Sequence, residues 1–114
     1  MVTIFERFET EMRRGVIQVA VMCLLENEMY GYDIMKKLKN TGLNVEEGTL
    51  YPLLRRLENN DLLTSRWDTN DTRPRKYYKI TEYGTLVRGN WLDSLNTINS
   101  TVKEFEKNIH RENE

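Results

Sequence analysis

A chain of 114 residues fits one domain of ordinary size and excludes a second independent core. Its hydrophobic content of 39% and charged content of 31% indicate a soluble folded protein, and two prolines and six glycines leave little material for long loops. The formal net charge is −1, which excludes a uniformly basic surface. Any contact with nucleic acid must therefore come from a local cluster of basic residues.

The single cysteine, Cys23, excludes an internal disulfide and a multi-cysteine zinc site. It lies in an apolar run over residues 16–25, where we expect a buried, inert thiol. The run is too short to span a bilayer, and Glu6, Glu9 and Glu11 are unlike a secretion signal. The chain is therefore interpreted as cytoplasmic.

The first predicted helix covers residues 4–26 and carries two apolar rows. We expect the later residues to fill the core of the domain and the earlier ones to face another surface. One row is Phe5, Phe8, Met12, Val16, Val19 and Cys23, and the other is Ile17, Ala20, Val21, Leu24 and Leu25. After a short turn over residues 27–29, a second helix opens at Tyr30-Gly31-Tyr32, and Gly42 is its predicted C-terminal cap.

The start of the third helix has two alternatives. Asn44 can cap it while the side chain of Glu47 reaches back, or Thr49 is the cap, which places Pro52 in the first turn at little cost. We favour the second alternative, with a tight turn over residues 45–48 and a helix to about residue 60. The predicted buried face is Leu50, Leu53, Leu54 and Leu57, and the solvent face is Tyr51, Arg55, Arg56 and Asn59.

Two short segments rich in β-formers, residues 62–67 and 75–80, flank a polar turn and predict a hairpin. Thr81 and Glu82 then cap and open a last helix. Apolar residues recur along it in alternating steps of four and three, which is typical of a helix that packs along another helix. These residues are Trp91, Leu95, Ile98, Val102, Phe105 and Ile109.

This order of elements predicts a mainly α protein with a small β-hairpin. Residues 1–80 are predicted to form a winged helix-turn-helix, and residues 81–114 a C-terminal dimerisation helix. In this architecture the third helix enters the major groove of DNA and the hairpin touches the neighbouring backbone or minor groove. The local charge fits that role. Over residues 55–79, seven basic residues (Arg55, Arg56, Arg66, Arg73, Arg75, Lys76 and Lys79) outnumber four acidic ones (Glu58, Asp61, Asp68 and Asp71).

The candidate DNA-binding residues come from three places: the start of the second helix, the third helix and the hairpin. We assign the reading of bases to residues 49–56, where arginine can bind guanine, and the binding of phosphate to residues 73–76 with help from the second helix. The full set is Tyr30, Tyr32, Thr49, Tyr51, Pro52, Arg55, Arg56, Arg73, Arg75 and Lys76.

The apolar row of the last helix needs a partner, because the leucines of the first three helices already supply a core. We expect a second copy of the chain, with the N-terminal helix also contributing. Such a homodimer suits two DNA half-sites about one helical turn apart. The predicted dimerisation residues are Phe5, Phe8, Met12, Leu95, Ile98, Val102, Phe105 and Ile109.

An enzyme is not predicted. His110 lies in a polar tail with no nearby nucleophile or metal-binding cluster, and Glu46 and Glu47 are better explained as first-turn helix acids than as a catalytic pair. No metal, cofactor or membrane partner is expected. The alternative function is a winged-helix protein–protein interaction module without DNA binding, which would not need arginines on both the third helix and the hairpin.

Three segments in order resemble the PadR-like transcriptional regulators: residues 30–34 (YGYDI), residues 48–58 (GTLYPLLRRLE) and residues 75–84 (RKYYKITEYG). The match runs from about residue 15 to residue 86, and the single last helix is similar to that of the short members. Pro74 departs from the family, which more often has an unbroken basic run there.

The resemblance implies a homodimeric bacterial repressor that binds a palindromic operator in double-stranded DNA. It also implies an aromatic or phenolic effector, because some members release DNA when such a compound binds. In certain short members the ligand lies between tryptophans of the last helix. The effector hypothesis therefore names Trp91, the tryptophan of that helix here, together with Met12.

Overall fold

The computed structural model describes residues 3–109, which form a mainly helical protein with a small antiparallel sheet. This confirms the fold class predicted from the sequence. His110 lies outside the described residues. The elements in chain order are α1 (Ile4–Leu24), β1 (Met29–Tyr30), α2 (Gly31–Asn40), α3 (Glu47–Asn59), β2 (Leu63–Asp68), β3 (Arg75–Ile80) and α4 (Glu82–Glu106).

The core forms where the later half of α1 packs against α2, α3 and one face of the sheet. All four leucines predicted to face inward from α3 are buried. Full burial of one leucine or isoleucine side chain stabilises the folded state by about 1.5–3 kcal/mol. The burial of this cluster therefore accounts for the packing of the helices against one another. Its fully buried members are Val21, Met22, Leu25, Ile34, Leu38, Leu50 and Leu54.

The two apolar rows of α1 separate as predicted, with one exception. Ile17 and Val21 are buried, whereas Phe5 is 82% exposed. The prediction of a buried Cys23 is wrong, because its side chain is exposed. Cys23 continues the outward row of Phe5 and Met12. Its position in an apolar run of the sequence does not determine which face of α1 its side chain occupies.

Gly42 ends α2 as predicted. Its φ of +93° is in the left-handed region that favours glycine. The chain then turns back so that the Leu43 N–H donates to the Leu38 carbonyl at 3.0 Å. This turn leads directly into α3 and sets the angle between the two helices.

The start of α3 differs from both alternatives drawn from the sequence. The helix begins at Glu47, and neither Asn44 nor Thr49 caps it, because the cap position is Glu46, whose side chain makes no capping hydrogen bond. Pro52 therefore lies inside the helix and cannot donate the usual hydrogen bond four residues back. The burial of the leucine face offsets this loss.

The sheet has three antiparallel strands in the order β1-β3-β2. The predicted hairpin is confirmed, and its register runs from Leu63 opposite Ile80 to Asp68 opposite Arg75. Strand β1 was not predicted, because the sequence placed Met29 in a turn. It pairs Tyr30 with Tyr77, and two residues are too few to show the alternation that marks a strand.

The connection from the hairpin to α4 is tightly packed. Thr81 caps α4 as predicted, since its Oγ1 accepts a hydrogen bond from the Gly84 N–H at 2.8 Å. Arg88 then ties α4 to the end of α1: its guanidinium lies 2.7 Å from the Glu26 carboxylate and donates to the Met22 carbonyl at 3.3 Å. These contacts determine the direction in which α4 leaves the winged helix.

Candidate nucleic-acid interface

The outward face of α3 is defined by the residues opposite its buried leucines. Successive residues of a helix are turned by about 100°, so the centre of the exposed face is Gly48, Pro52, Arg55 and Asn59, all of which are exposed. Arg55 thus points directly away from the core. Thr49 and Arg56 lie on one flank of this face, and Tyr51 and Glu58 lie on the other.

Arg55 and Arg56 were both predicted to lie on the solvent face of α3, but in the structure their side chains have different surroundings. Arg56 lines one cleft with Arg14 and Thr49, and a second with Gln18 and Trp91, so it faces α1 and the first turns of α4. Arg55 faces open solvent. The two side chains therefore cannot make the same contact.

Tyr51 packs across the start of α2. A Cβ atom on Gly31 would lie 2.9 Å from Tyr51 Cε1, which explains why glycine follows Tyr30. Burial raises the pKa of the Tyr51 phenol, and the nearby Glu47 carboxylate raises it further. The hydroxyl is therefore protonated at neutral pH and can donate a hydrogen bond at the edge of the exposed face.

The outer face of the sheet carries tyrosines that hold arginines in place. The Arg75 guanidinium lies 5.3 Å from the centre of the Tyr30 ring, a distance typical of a cation–π contact. Tyr30 in turn lies 5.9 Å from Tyr77 and 6.4 Å from Tyr32, measured between ring centroids. The predicted residues Tyr30, Tyr32 and Arg75 are therefore brought together.

Arg66 is engaged by an acid far away in sequence. Its guanidinium donates to both carboxylate oxygens of Glu28, at 2.7 and 2.6 Å, and this pairing holds the pKa of Glu28 below its usual value. The pair fixes the hairpin to the segment before β1. Arg66 was predicted to belong to the basic cluster, but its charge is neutralised within the chain.

Lys76 also differs from its neighbours in sequence. Side chains alternate between the two faces of a strand, so Arg75, Tyr77 and Lys79 share the outer face while Lys76 shares the core face with buried Tyr78. Its Nζ lies 3.3 Å from the Glu58 carboxylate of α3. This contact holds the hairpin beside the Glu58 flank of α3. Lys76 therefore positions the hairpin.

The remaining arginines of the predicted site are not paired with a carboxylate in the described part of the chain. Within residues 3–109, no ion pair involves Arg55, Arg56, Arg73 or Arg75, and all four are exposed. Guanidinium groups without an internal carboxylate are available to bind an external anion, with five donors arranged for phosphate or a base edge.

The predicted dimerisation residues form two exposed apolar rows. Phe5, Phe8 and Met12 on α1 are each more than 60% exposed, and Ile98, Val102 and Phe105 on α4 are more than half exposed. Ile109 is also more than half exposed, but it lies beyond the last helix on which the sequence placed it, because α4 ends at Glu106. Leu95 and Trp91 are partly buried, and Trp91 packs against the core of its own chain. Patches of this extent mark interaction surfaces.

Within the described part of the chain, no group of three or more histidine, cysteine, aspartate or glutamate residues is arranged to hold a metal ion. No helix described here is both long and apolar enough to cross a membrane.

Residues 21–90 match the sequence profile of the transcriptional regulator PadR-like family. The chain belongs to this family. It is a transcriptional regulator with a DNA-binding winged helix, as the three sequence segments predicted. The proteins of the family are regulators rather than enzymes.

The similarity extends to a solved PadR regulator. The crystal structure of a PadR family transcriptional regulator from Eggerthella lenta DSM 2243 is 35% identical, with a TM-score of 0.86, and the match covers 93% of this chain and 95% of that one. The architecture that the two chains share therefore includes α4 as well as the winged helix.

Two curated relatives match shorter segments. The transcriptional regulator Rv3488 of Mycobacterium tuberculosis is 35% identical over 75 residues, which are 65% of this chain and 70% of the relative. An uncharacterized protein X of Lysinibacillus sphaericus is 34% identical over 70 residues, 58% of this chain. The match spans 64% of the length of that second protein, slightly less than two thirds.

Proposed function

We propose that this PadR-like regulator is a repressor that binds a palindromic operator as a homodimer. The observation that carries the proposal is the set of exposed, unpaired arginines on α3 and the hairpin, with Arg55 at the centre of the outward face of α3. Because Lys76 and Glu58 hold the hairpin beside α3, one double helix can meet both. Arg55, Pro52 and Tyr51 then form the base-reading segment.

The phosphate contacts are proposed on the outer face of the sheet and its tip. Arg75 is held over Tyr30, and Arg73 and Pro74 lie in the exposed turn before it. Tyr32 is 49% exposed at the start of α2 and can donate to a neighbouring phosphate. Lys76 supports this surface by its pairing with α3.

Dimerisation is proposed through the two exposed apolar rows, in which α4 of one chain packs along α1 and α4 of its partner. A two-fold axis makes such an interface self-complementary and presents two identical reading helices. A palindrome is the DNA sequence that matches this symmetry, with half-sites about one helical turn apart.

The proposal includes an aromatic effector, supported by a cleft that Trp91 lines with Tyr83, Arg56 and Gln18 and whose volume is ≈340 Å³. Met12 lies outside this cleft, on the exposed row of α1. The predicted effector residues are thus on separate surfaces of one chain. A ligand that contacts both must lie where two chains meet.

Titration of the promoter DNA of its own gene tests the function. We expect binding that weakens steeply as salt rises, because cations released from several phosphates contribute to the affinity. Failure to bind at low salt would favour the protein–protein interaction module instead.

Two substitutions separate phosphate binding from base reading. Arg75→Ala should weaken binding to specific and random DNA alike, by roughly tenfold, and lower the salt slope by about 1. Tyr51→Phe should change the preferred sequence while leaving binding to random DNA nearly unchanged. Equal losses on both DNAs for both variants would contradict this division.

The effector is tested by tryptophan emission. Trp67→Phe leaves Trp91 as the remaining tryptophan, and its emission should be quenched by compounds from an aromatic acid library. Trp91→Phe provides the control, since quenching of Trp67 alone by the same compounds would place binding elsewhere.

A further inference from the structure

A cleft between α1 and α3 brings together two arginines that are far apart in sequence. Its lining is Arg14 from α1, Thr49 and Arg56 from α3, and the apolar residues Ile17 and Leu53, and its volume is ≈350 Å³. None of the described residues that line it is acidic. Thr49 and Arg56 were predicted from the sequence to bind DNA, whereas Arg14 was not.

Arg14 lies on the face of α1 that packs against the winged helix. It precedes buried Ile17 by three residues and buried Val21 by seven, which places it on their face of the helix. The exposed row that contains Phe5 and Met12 lies on the opposite side. Arg14 is therefore outside the surface proposed for dimerisation and remains accessible in a dimer.

The adjacent arginine has a different environment. Arg13 pairs with Glu9 of the same helix at 3.0 Å. Arg14 and Arg56 form no ion pair within residues 3–109, and both are exposed. Two free guanidinium groups beside the Thr49 hydroxyl provide donors that suit an oxyanion such as phosphate.

The position of the cleft relative to α3 indicates the source of that phosphate. The hairpin lies on the Glu58 flank of α3, and the cleft lies on the Arg56 flank, with Arg55 between them. A helix in the major groove, which is about 12 Å wide, has one phosphate backbone on each side. The hairpin can reach one backbone. The contacts proposed above for the hairpin and the start of α2 do not reach the backbone on the Arg56 flank.

We propose that Arg14, together with Arg56 and Thr49, binds a backbone phosphate of the DNA strand on the side of α3 away from the hairpin. This rests on the proposed function. α3 is then held in the groove from both flanks, and Arg56 contacts phosphate rather than a base. The DNA-binding surface accordingly extends onto α1.

The test compares Arg14→Ala with Arg13→Ala, a control that also removes one arginine side chain, at the adjacent position of α1. DNA affinity is measured at four salt concentrations on specific and random DNA, and circular dichroism checks that each variant is folded. Arg14→Ala should weaken binding roughly tenfold on both DNAs and lower the salt slope by about 1. Arg13→Ala should match the unmodified protein, and Arg14→Lys should keep the slope because it keeps the charge.

Equal affinities and slopes for Arg14→Ala and Arg13→Ala would overturn the proposal. So would a site for free anions only, in which inorganic phosphate raises the melting temperature of the unmodified protein but not of Arg14→Ala, while both bind DNA equally. Absence of DNA binding by the unmodified protein would instead refute the proposed function, so the two failures are distinguishable.

Discussion

Replacing Ile98 and Val102 together by aspartate should convert the protein into a monomer. Both side chains are more than half exposed in a single chain, at 59% and 58%, yet they are proposed to be buried between two chains. A symmetric dimer of this variant would bury four carboxylates in an apolar interface. Unpaired charges in such a place cost several kcal/mol each, which exceeds what the lost apolar contacts supplied.

Sedimentation velocity measures this effect directly, and circular dichroism separates a folded monomer from an unfolded chain. We further expect affinity for the operator to fall at least ~100-fold, because the two reading heads no longer bind as one unit. The matched control is Asn96→Asp with Ser100→Asp, which adds the same charges with the same spacing on the opposite face of α4. An intact dimer of the Ile98 and Val102 variant would refute the interface.

Replacing Gly84 by alanine should destabilise the protein by about 3 kcal/mol, through overpacking at the start of α4. A Cβ atom there would lie 2.2 Å from the Leu62 carbonyl oxygen and 2.8 Å from Ile80 Cγ1. The Leu62 carbonyl also accepts the Thr81 N–H at 3.1 Å. Relief of the clash would therefore displace the cap that joins the hairpin to α4.

Gly89→Ala is the matched control in the same helix. A Cβ atom at this position meets no heavy atom of residues 3–109 within 4 Å, and alanine favours a helix over glycine by about 1 kcal/mol. Thermal unfolding should thus show a lower midpoint for Gly84→Ala and a slightly higher one for Gly89→Ala. Equal midpoints for the two variants would show that the close contact with Leu62 does not constrain the helix.

The features that sequence periodicity encodes were predicted well. Spacing predicted the buried leucines of α3 and the apolar row of α4, of which Ile98, Val102 and Phe105 are exposed in the single chain. Both depend on a repeat set by the local geometry of a helix. The β-forming residues on both sides of a polar turn predicted the hairpin. The family segments added the winged helix, because they lie at its helix starts and in its second strand.

The features that depend on long-range contacts were missed. The pairing of Arg66 with Glu28 joins residues 38 positions apart, and the cleft of Arg14 and Arg56 joins α1 to α3. No local pattern marks either. Cys23 was misplaced because composition does not define a face, and Lys76 was grouped with Arg75 although strand alternation separates neighbours.

The early start of α3 is a case of tertiary packing overriding local preference. Pro52 argues for a helix that begins at Thr49, but Val45 and Leu50 are buried and hold the segment between them against the core. Glu46 and Glu47 then lie at the N-terminal end, where the helix dipole favours negative charge. Neither alternative drawn from the sequence included this packing, and both were therefore wrong about the start of α3.

Selection of bound sequences from a pool of random double-stranded DNA tests the central claim most directly, namely that a dimer of this chain reads DNA with two copies of α3. We expect enrichment of an inverted repeat whose half-sites have centres about 10 base pairs apart, or a multiple of one helical turn. A pool that shows no enriched sequence, or only a single half-site without its inverted copy, would contradict it.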